Sequence, residues 1–413
     1  MSHSILAPSG SSRWLRCVGA LYLSRGIPNP DKEHSASGTC SHWLLQWQLE
    51  NPALDLEYWL GKELTFGSSP PFKFTVDEDR LDRVRSCVNA INREPGDMLV
   101  EHRLDTTPVL GVPDQEGHSD IIKLYPEGGA VIRDELHKGV LSVHDYKDGY
   151  LLVNAKDNTQ GLIYLCAAMI EFSLIGDFNA FRFCIHQPRQ RHYDEWTYSR
   201  AELEAFMQLI RPVAALAYGI YHETIPFDPQ AHLVAGEDQC TYCEVRGRCV
   251  ARAKRVMSMF EPLVKRHELD DKSLGLVYAQ LDEIEAAITD FRVESLRRAK
   301  LGVIVDGQKL IYGNKGKRVW IDKGAVADAL TMTLEPDMME RMYEPREFVS
   351  PTQAQKVLKD GYAAVKDLVT QSEPQLRLVP LDHKGEAVTP IQFIPTQEPR
   401  ADLKLEATGD KNE

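Results

Sequence analysis

No stretch of this sequence is apolar for the ~20 residues that a helix needs to cross a bilayer, which argues against a membrane protein. The opening residues, Met1 to Pro8, lack the basic and apolar segments of a secretory signal, so a cytoplasmic protein is expected. Net positive charge is missing too. A balance of −13 argues against a general polyanion binder. It leaves open nucleic acid held at a local basic groove or through metal-neutralised carboxylates. Internal repeats are absent. Cysteines are few, eight in 413 residues, and a reducing compartment disfavours disulfides between them.

What is present is a globular composition, 43% hydrophobic, long enough for two domains or for one with a sizeable extension. The spacing of Trp43, Leu44, Trp47 and Leu49 predicts a helix from Gly38 to Glu50, after a polar loop from Pro28 to Ser37. A second amphipathic helix runs from Val76 to Asn92. Strands follow at Met98–Leu104, Ile121–Leu124 and Val140–Tyr146, the last apolar enough to be central. Residues 126 to 138 form a hairpin connection. Asn158 or Thr159 caps a helix through Phe172. Strands Phe181–His186 and Tyr193–Tyr198 flank the basic loop Pro188 to Arg191, read as solvated. Ser199 starts a long helix to Tyr221.

The chemistry collects around Leu141 to Lys147. Side chains alternate along a strand, so Asp145 and Lys147 project to one side. A carboxylate beside an ammonium, with a second carboxylate at Asp120 and an imidazole at His42, suits a hard divalent ion and an activated water. Lys147 can position that water or stabilise charge on a phosphate. Gln160 and Tyr164 lie one helical turn apart and share a face. They can contact DNA or support the metal site. Glu101 is a further carboxylate, on the strand before Asp120.

Four short motifs occur in order: Gly38-x-x-x-His42, Gly117-x-x-Asp120, Asp145-x-Lys147 and Gln160-x-x-x-Tyr164. Together they resemble the RecB-type branch of the PD-(D/E)XK nucleases. The resemblance implies an α/β fold with a restriction-endonuclease-like core, a central mixed sheet flanked by helices. It implies a metal-dependent DNA nuclease using magnesium or manganese, with the backbone carbonyl of Tyr146 as a further ligand and Glu101, where relatives carry an extra acid, in a weaker role. The remaining cysteines of interest are Cys17, far upstream, and Cys240, Cys243 and Cys249 within ten residues. Their arrangement resembles the iron–sulfur staple of the AddB and CRISPR-adaptation nucleases, which implies a 4Fe–4S cluster on these four thiolates. The same cysteines can hold zinc, the alternative. Cys40, Cys87, Cys166 and Cys184 read as buried thiols. One position departs from the pattern: Asp148 adds a negative charge beside the site, altering metal choice or turning outward.

The expected organisation is a nuclease domain over 1–258, a mainly helical extension over 259–372, and an extended, weakly ordered tail over 373–413. In the extension, Leu274 to Lys300 reads as one helix. Lys315, Lys317 and Arg318 make a small basic patch at a hairpin tip or against phosphates. The whole chain further resembles an uncharacterised RecB-like family of phages and prophages. That implies DNA end processing in phage recombination or replication, on DNA ends or single strands, beside a single-strand-binding or annealing protein. The rival function is a catalytically silent DNA-binding or assembly protein on the same scaffold.

Overall fold

The apolar strand that ends in Asp145 and Tyr146 lies at the centre of a five-stranded sheet, between partners on both sides. The computed structural model describes residues 4–27, 32–67, 70–132, 134–264, 270–332, 334–340, 342–344, 347–380 and 383–388. The chain divides into two units, 1–287 and 288–413.

In the first unit, helix α1 (Glu33–Glu50) precedes a hairpin of β1 (Glu63–Phe66) and β2 (Phe72–Thr75). Helix α2 (Glu78–Asn92) then leads into β3 (Asp97–Asp105), β4 (Glu116–Ile132) and β5 (Glu135–Tyr146). Helix α3 (Thr159–Glu171), β6 (Ala180–Gln187), β7 (His192–Ser199) and α4 (Arg200–Tyr221) complete the sheet and its cover. The strand order is β3-β4-β5-β6-β7. Only β5 and β6 pair in parallel; the other neighbours are antiparallel, so the sheet is mixed. A parallel pair needs a crossover, and α3 supplies it.

Alternation along the strands builds two cores. Leu141, Val143, Phe181, Phe183 and Ile185 pack under α3 and α4, against Leu162, Ile163, Leu165, Leu203 and Ile210. On the opposite face Ile121 and Tyr146 meet Leu44, Leu45, Leu81, Val84 and Ile91 of α1 and α2. Each such side chain contributes about 1.5–3 kcal/mol by leaving water. Helix ends are chemically marked. Asp77 caps α2, Asn158 caps α3, and Ser199 with Glu202 forms a capping box on α4. By length and composition alone α4 could cross a membrane. Its apolar stripe, Leu203, Met207, Ile210, Ala214 and Ala217, is instead spent on the core.

Several expectations change. Helix α1 begins at Glu33, inside the stretch expected to be a polar loop; residues 28–31 lie outside the described residues. The region 126–138 is a hairpin, as expected, but its arms are the far ends of β4 and β5 themselves. The β1–β2 hairpin was not foreseen. Its strands alternate strictly but are only four residues each, too short a run to stand out in the sequence. The helix expected from Leu274 to Lys300 breaks at Ala279 and Gln280 into α5 (Asp271–Tyr278) and α6 (Leu281–Lys300). The unit boundary falls within α6.

The second unit combines short helices with strands. Residues 308–320 and 369–380 run antiparallel as two interrupted arms. Gln308–Tyr312 pairs with Leu376–Pro380, and Arg318–Trp320 pairs with Val369–Gln371. Leu310–Tyr312 and Arg318–Trp320 therefore do not form a hairpin with each other. Leu376–Pro380 is a paired strand inside the segment expected to be a loose tail; residues 389–413 lie outside the described residues. Trp320, Val326, Leu330, Ala354 and Leu358 form this unit's own core.

Candidate functional site

Asp120 sits one residue before Ile121, which pairs across β4 and β5 with His144, so Asp120 and Asp145 come together on neighbouring strands. The backbone N–H of Tyr146 donates to Asp120 Oδ2 at 2.7 Å, fixing that carboxylate. His42 reaches over from α1, its Nδ1 3.4 Å from the same oxygen. The His42 ring also stands edge-on to the Tyr146 ring, with centroids 5.2 Å apart. Glu101 has φ +48, and the β3–β4 ladder skips the Glu101–Asp120 position. This strained backbone delivers the Glu101 carboxylate to the site. Donor atoms of His42, Glu101 and Asp120 lie within 4.8 Å of one another. Burial and the Asp120 charge push the Glu101 carboxyl up to about 7.

The second half of the site stands beside the first. Lys147 Nζ is 2.8 Å from Asp145 Oδ2 and donates to Asp145 Oδ1 at 3.2 Å and to Gln160 Oε1 at 3.3 Å. Gln160 Nε2 closes the ring by donating to Asp145 Oδ1 at 3.1 Å. Burial raises the Asp145 carboxyl despite its lysine partner. For Lys147 burial works against the ammonium, yet the two aspartates outweigh it and the lysine titrates higher than usual. Tyr164 is only 5% exposed and belongs to the core. Its hydroxyl partners Gln160, and burial raises its titration. Of the two roles open to Tyr164, the structure leaves it support rather than surface contact.

Two glycines of the motifs have steric reasons. A Cβ on Gly117 would stand 2.7 Å from the Tyr164 ring, and one on Gly161 would stand 2.4 Å from the Phe183 ring. Both permit α3 to lie close on the sheet. Gly38 has no such reason, since nothing lies within 4 Å of its Cβ position.

The donor set fits a hard divalent cation: carboxylates from Asp120 and Glu101, an imidazole, and Asp145 adjacent. Asp145 Oδ2 is buried and, although Lys147 lies near it, receives no aligned hydrogen bond. Tyr146 is the last residue of β5, between Asp145 and Lys147.

Asp148 neither joins this set nor turns outward. Its side chain, 1% exposed, accepts from Arg83 Nε at 3.1 Å, Arg189 Nη2 at 3.0 Å and Ser41 Oγ at 2.9 Å. The carboxylate clasps α1, α2 and the β6–β7 connection behind the site. Arg189, read as part of a solvated loop, is thus committed to a structural ion pair. Nothing local in the sequence marked Ser41, Arg83 and Arg189 as its partners.

The four cysteines converge from the two ends of the unit. Cys17 shares a small apolar cluster with Leu233 and Cys249, and electrostatic coupling links Cys17 to Cys240 and Cys249 and Cys243 to Cys240. Backbone N–H groups point at the sulfurs: Val234 N donates to Cys17 Sγ at 3.4 Å and Gly236 N to Cys240 Sγ at 3.5 Å. Around them Arg13 pairs with Glu244 at 2.5 Å, and Gly19 N donates to His232 O at 2.9 Å. Burial raises the thiols of Cys17, Cys240 and Cys243, the last to about 11. Among the described residues, the groups whose donor atoms all lie within 4.8 Å contain none of these cysteines.

A family model described as "Protein of unknown function (DUF2800)" matches residues 3–386. The chain belongs to this family. The match runs through both units and includes every residue of the two candidate sites, so both are parts of the DUF2800 module.

Proposed function

We propose that this chain is a metal-dependent DNA nuclease of the RecB-like PD-(D/E)XK type, acting on DNA ends or single strands. The observation that carries the reading is the joined pair of half-sites. His42, Glu101 and Asp120 converge on one side, and Asp145, Lys147 and Gln160 form a closed hydrogen-bonded ring on the other. The first set and Asp145, with the Tyr146 carbonyl, would hold magnesium or manganese. Such an ion supplies Lewis-acid polarisation of a phosphoryl oxygen and a more acidic water.

The chain's own residues do the rest. Gln160 fixes the Lys147–Asp145 pair, so the ammonium is oriented before substrate arrives. Held protonated by two aspartates, Lys147 is suited to donate to an oxygen on which charge develops, more than to take a proton. Tyr146 N keeps the Asp120 carboxylate aimed while His42 and Glu101 approach it.

For the four cysteines we infer an iron–sulfur cluster of the 4Fe–4S type, with zinc as the alternative. Zinc bonds its thiolates at about 2.3 Å, which places the sulfurs roughly 3.8 Å apart. Backbone N–H donors aimed at two of the sulfurs would favour thiolates. Brown anaerobically purified protein supports the cluster; colourless protein containing zinc rejects it.

The test of activity is digestion of end-labelled single- and double-stranded DNA with and without manganese. Cleavage that appears with manganese and stops with chelator is expected. Metal-dependent DNA binding with no cleavage of any substrate would mark a silent scaffold instead. DNA end processing in phage recombination or replication, next to a single-strand-binding or annealing protein, is the setting that fits such an activity.

A further inference from the structure

The sheet face covered by α2 carries a buried polar patch that the candidate active site does not use. The parallel register of β5 and β6 pairs His144 directly with Cys184, so the two side chains emerge side by side on that face. Glu94 reaches them from the turn between α2 and β3. His144 and Cys184 are 0% exposed. Donor atoms of Glu94, His144 and Cys184 all lie within 4.8 Å of one another.

The spacing and the surroundings both suit a metal. His144 Nε2 and Glu94 Oε2 are 3.4 Å apart. A tetrahedral centre with bonds of about 2.0–2.1 Å to nitrogen and oxygen separates its ligands by about 3.4 Å. The other ring nitrogen, His144 Nδ1, is 3.0 Å from His186 Nε2, the kind of outer hydrogen bond that fixes a ligand histidine's tautomer. Arg182 pairs with Glu94 Oε2 and Ser142 Oγ lies 3.0 Å from His144 Nε2; a metal bound through these two atoms would take the place of both contacts. A cleft of about 430 Å³ lined by Cys87, His186 and Tyr193 reaches His186, the outer partner of His144.

We propose that Glu94, His144 and Cys184 form a second metal site, for a divalent transition metal such as zinc. Thiolate, imidazole and carboxylate are a softer set than the oxygen-rich one around Asp120, so the two sites select different ions. Binding displaces the Cys184 thiol proton, and any proton on His144 Nε2, to solvent. The site stands whether or not the chain cleaves DNA.

Zinc titration of the full chain against a chromophoric chelator tests this, with magnesium in excess to fill the harder site. Glu94→Gln and Cys184→Ser should each lose one zinc per chain, or weaken it by at least about tenfold, a ligand counting for no less than an outer-shell partner. Iron content and colour should stay those of wild type, which separates this site from the cysteine frame. Glu94→Gln keeps the size and shape of the side chain and decides alone if Cys184→Ser does not fold. Equal zinc stoichiometry and affinity in wild type and Glu94→Gln would overturn the proposal. So would a zinc-soaked crystal with no anomalous peak between these three residues.

Discussion

The carboxylate site and the cysteine frame share one unit yet are made from opposite materials. Around Asp120 the donors are oxygens and one imidazole. They stand on strands in the middle of the chain, with His42 and Lys147 still about 30% exposed. Around Cys17 the donors are sulfurs, Cys17 and Cys243 buried and Cys240 and Cys249 half-buried, taken from two stretches far apart in the chain. One arrangement leaves room for water and substrate; the other closes a loop of chain. On the proposed reading the first carries chemistry and the second cohesion, and each variant below is a way to break that reading.

The largest effect belongs to the frame. A structural metal contributes on the order of 10 kcal/mol to folding, comparable to the whole net stability of a domain. Cys17→Ala should therefore lose colour, solubility and activity together, read by absorbance, circular dichroism and nuclease assay. A colourless variant of full activity would show that the frame is dispensable. Changes at the carboxylate site should do the reverse. Asp120→Ala and Asp145→Ala should lower cleavage by ~10³-fold or more while the fold survives. The Tyr146 N–H loses its acceptor in Asp120→Ala, which costs only about 1–3 kcal/mol.

Asp148 lies between these extremes, adjacent in sequence to Lys147 but built into the frame of helices. Asp148→Ala removes the buried carboxylate from Arg83 and Arg189, which keep Asp79 and the Tyr150 hydroxyl as partners, and should destabilise by about 3 kcal/mol, the low end for a broken buried pair, in chemical denaturation. A variant of unchanged stability but altered metal preference would return Asp148 to the active site. The smallest effect is expected at Gly161→Ala. The added methyl meets the Phe183 ring at 2.4 Å and should cost about 1–3 kcal/mol, a few degrees of melting midpoint, with Gln160 displaced and cleavage weakened in proportion.

Much of the sheet could be read from the sequence because its signals are local. Alternation put Asp145 and Lys147 on one side of the chain at the end of β5, and helical spacing put Gln160 and Tyr164 on one face of α3; both depend on residues at most a few positions apart. What escaped depends on long-range pairing. The Asp148 clasp joins Ser41, Arg83 and Arg189 from three separate segments. Glu101 acquires its place through a positive φ that residue type does not announce. Cys184 reads as an ordinary buried thiol until the parallel register sets it against His144. In the second unit, strand pieces at 310–312 and 318–320 were visible, but their partners at 369–380 lie some fifty residues on, past several short helices.

Release of end label from linear DNA with manganese, measured side by side for wild-type and Lys147→Ala proteins of equal melting midpoint and equal colour, tests the central claim most directly. Rapid release by wild type and almost none by Lys147→Ala is the predicted result. Equal rates in the two proteins, or no release by wild type on any linear substrate, would contradict it.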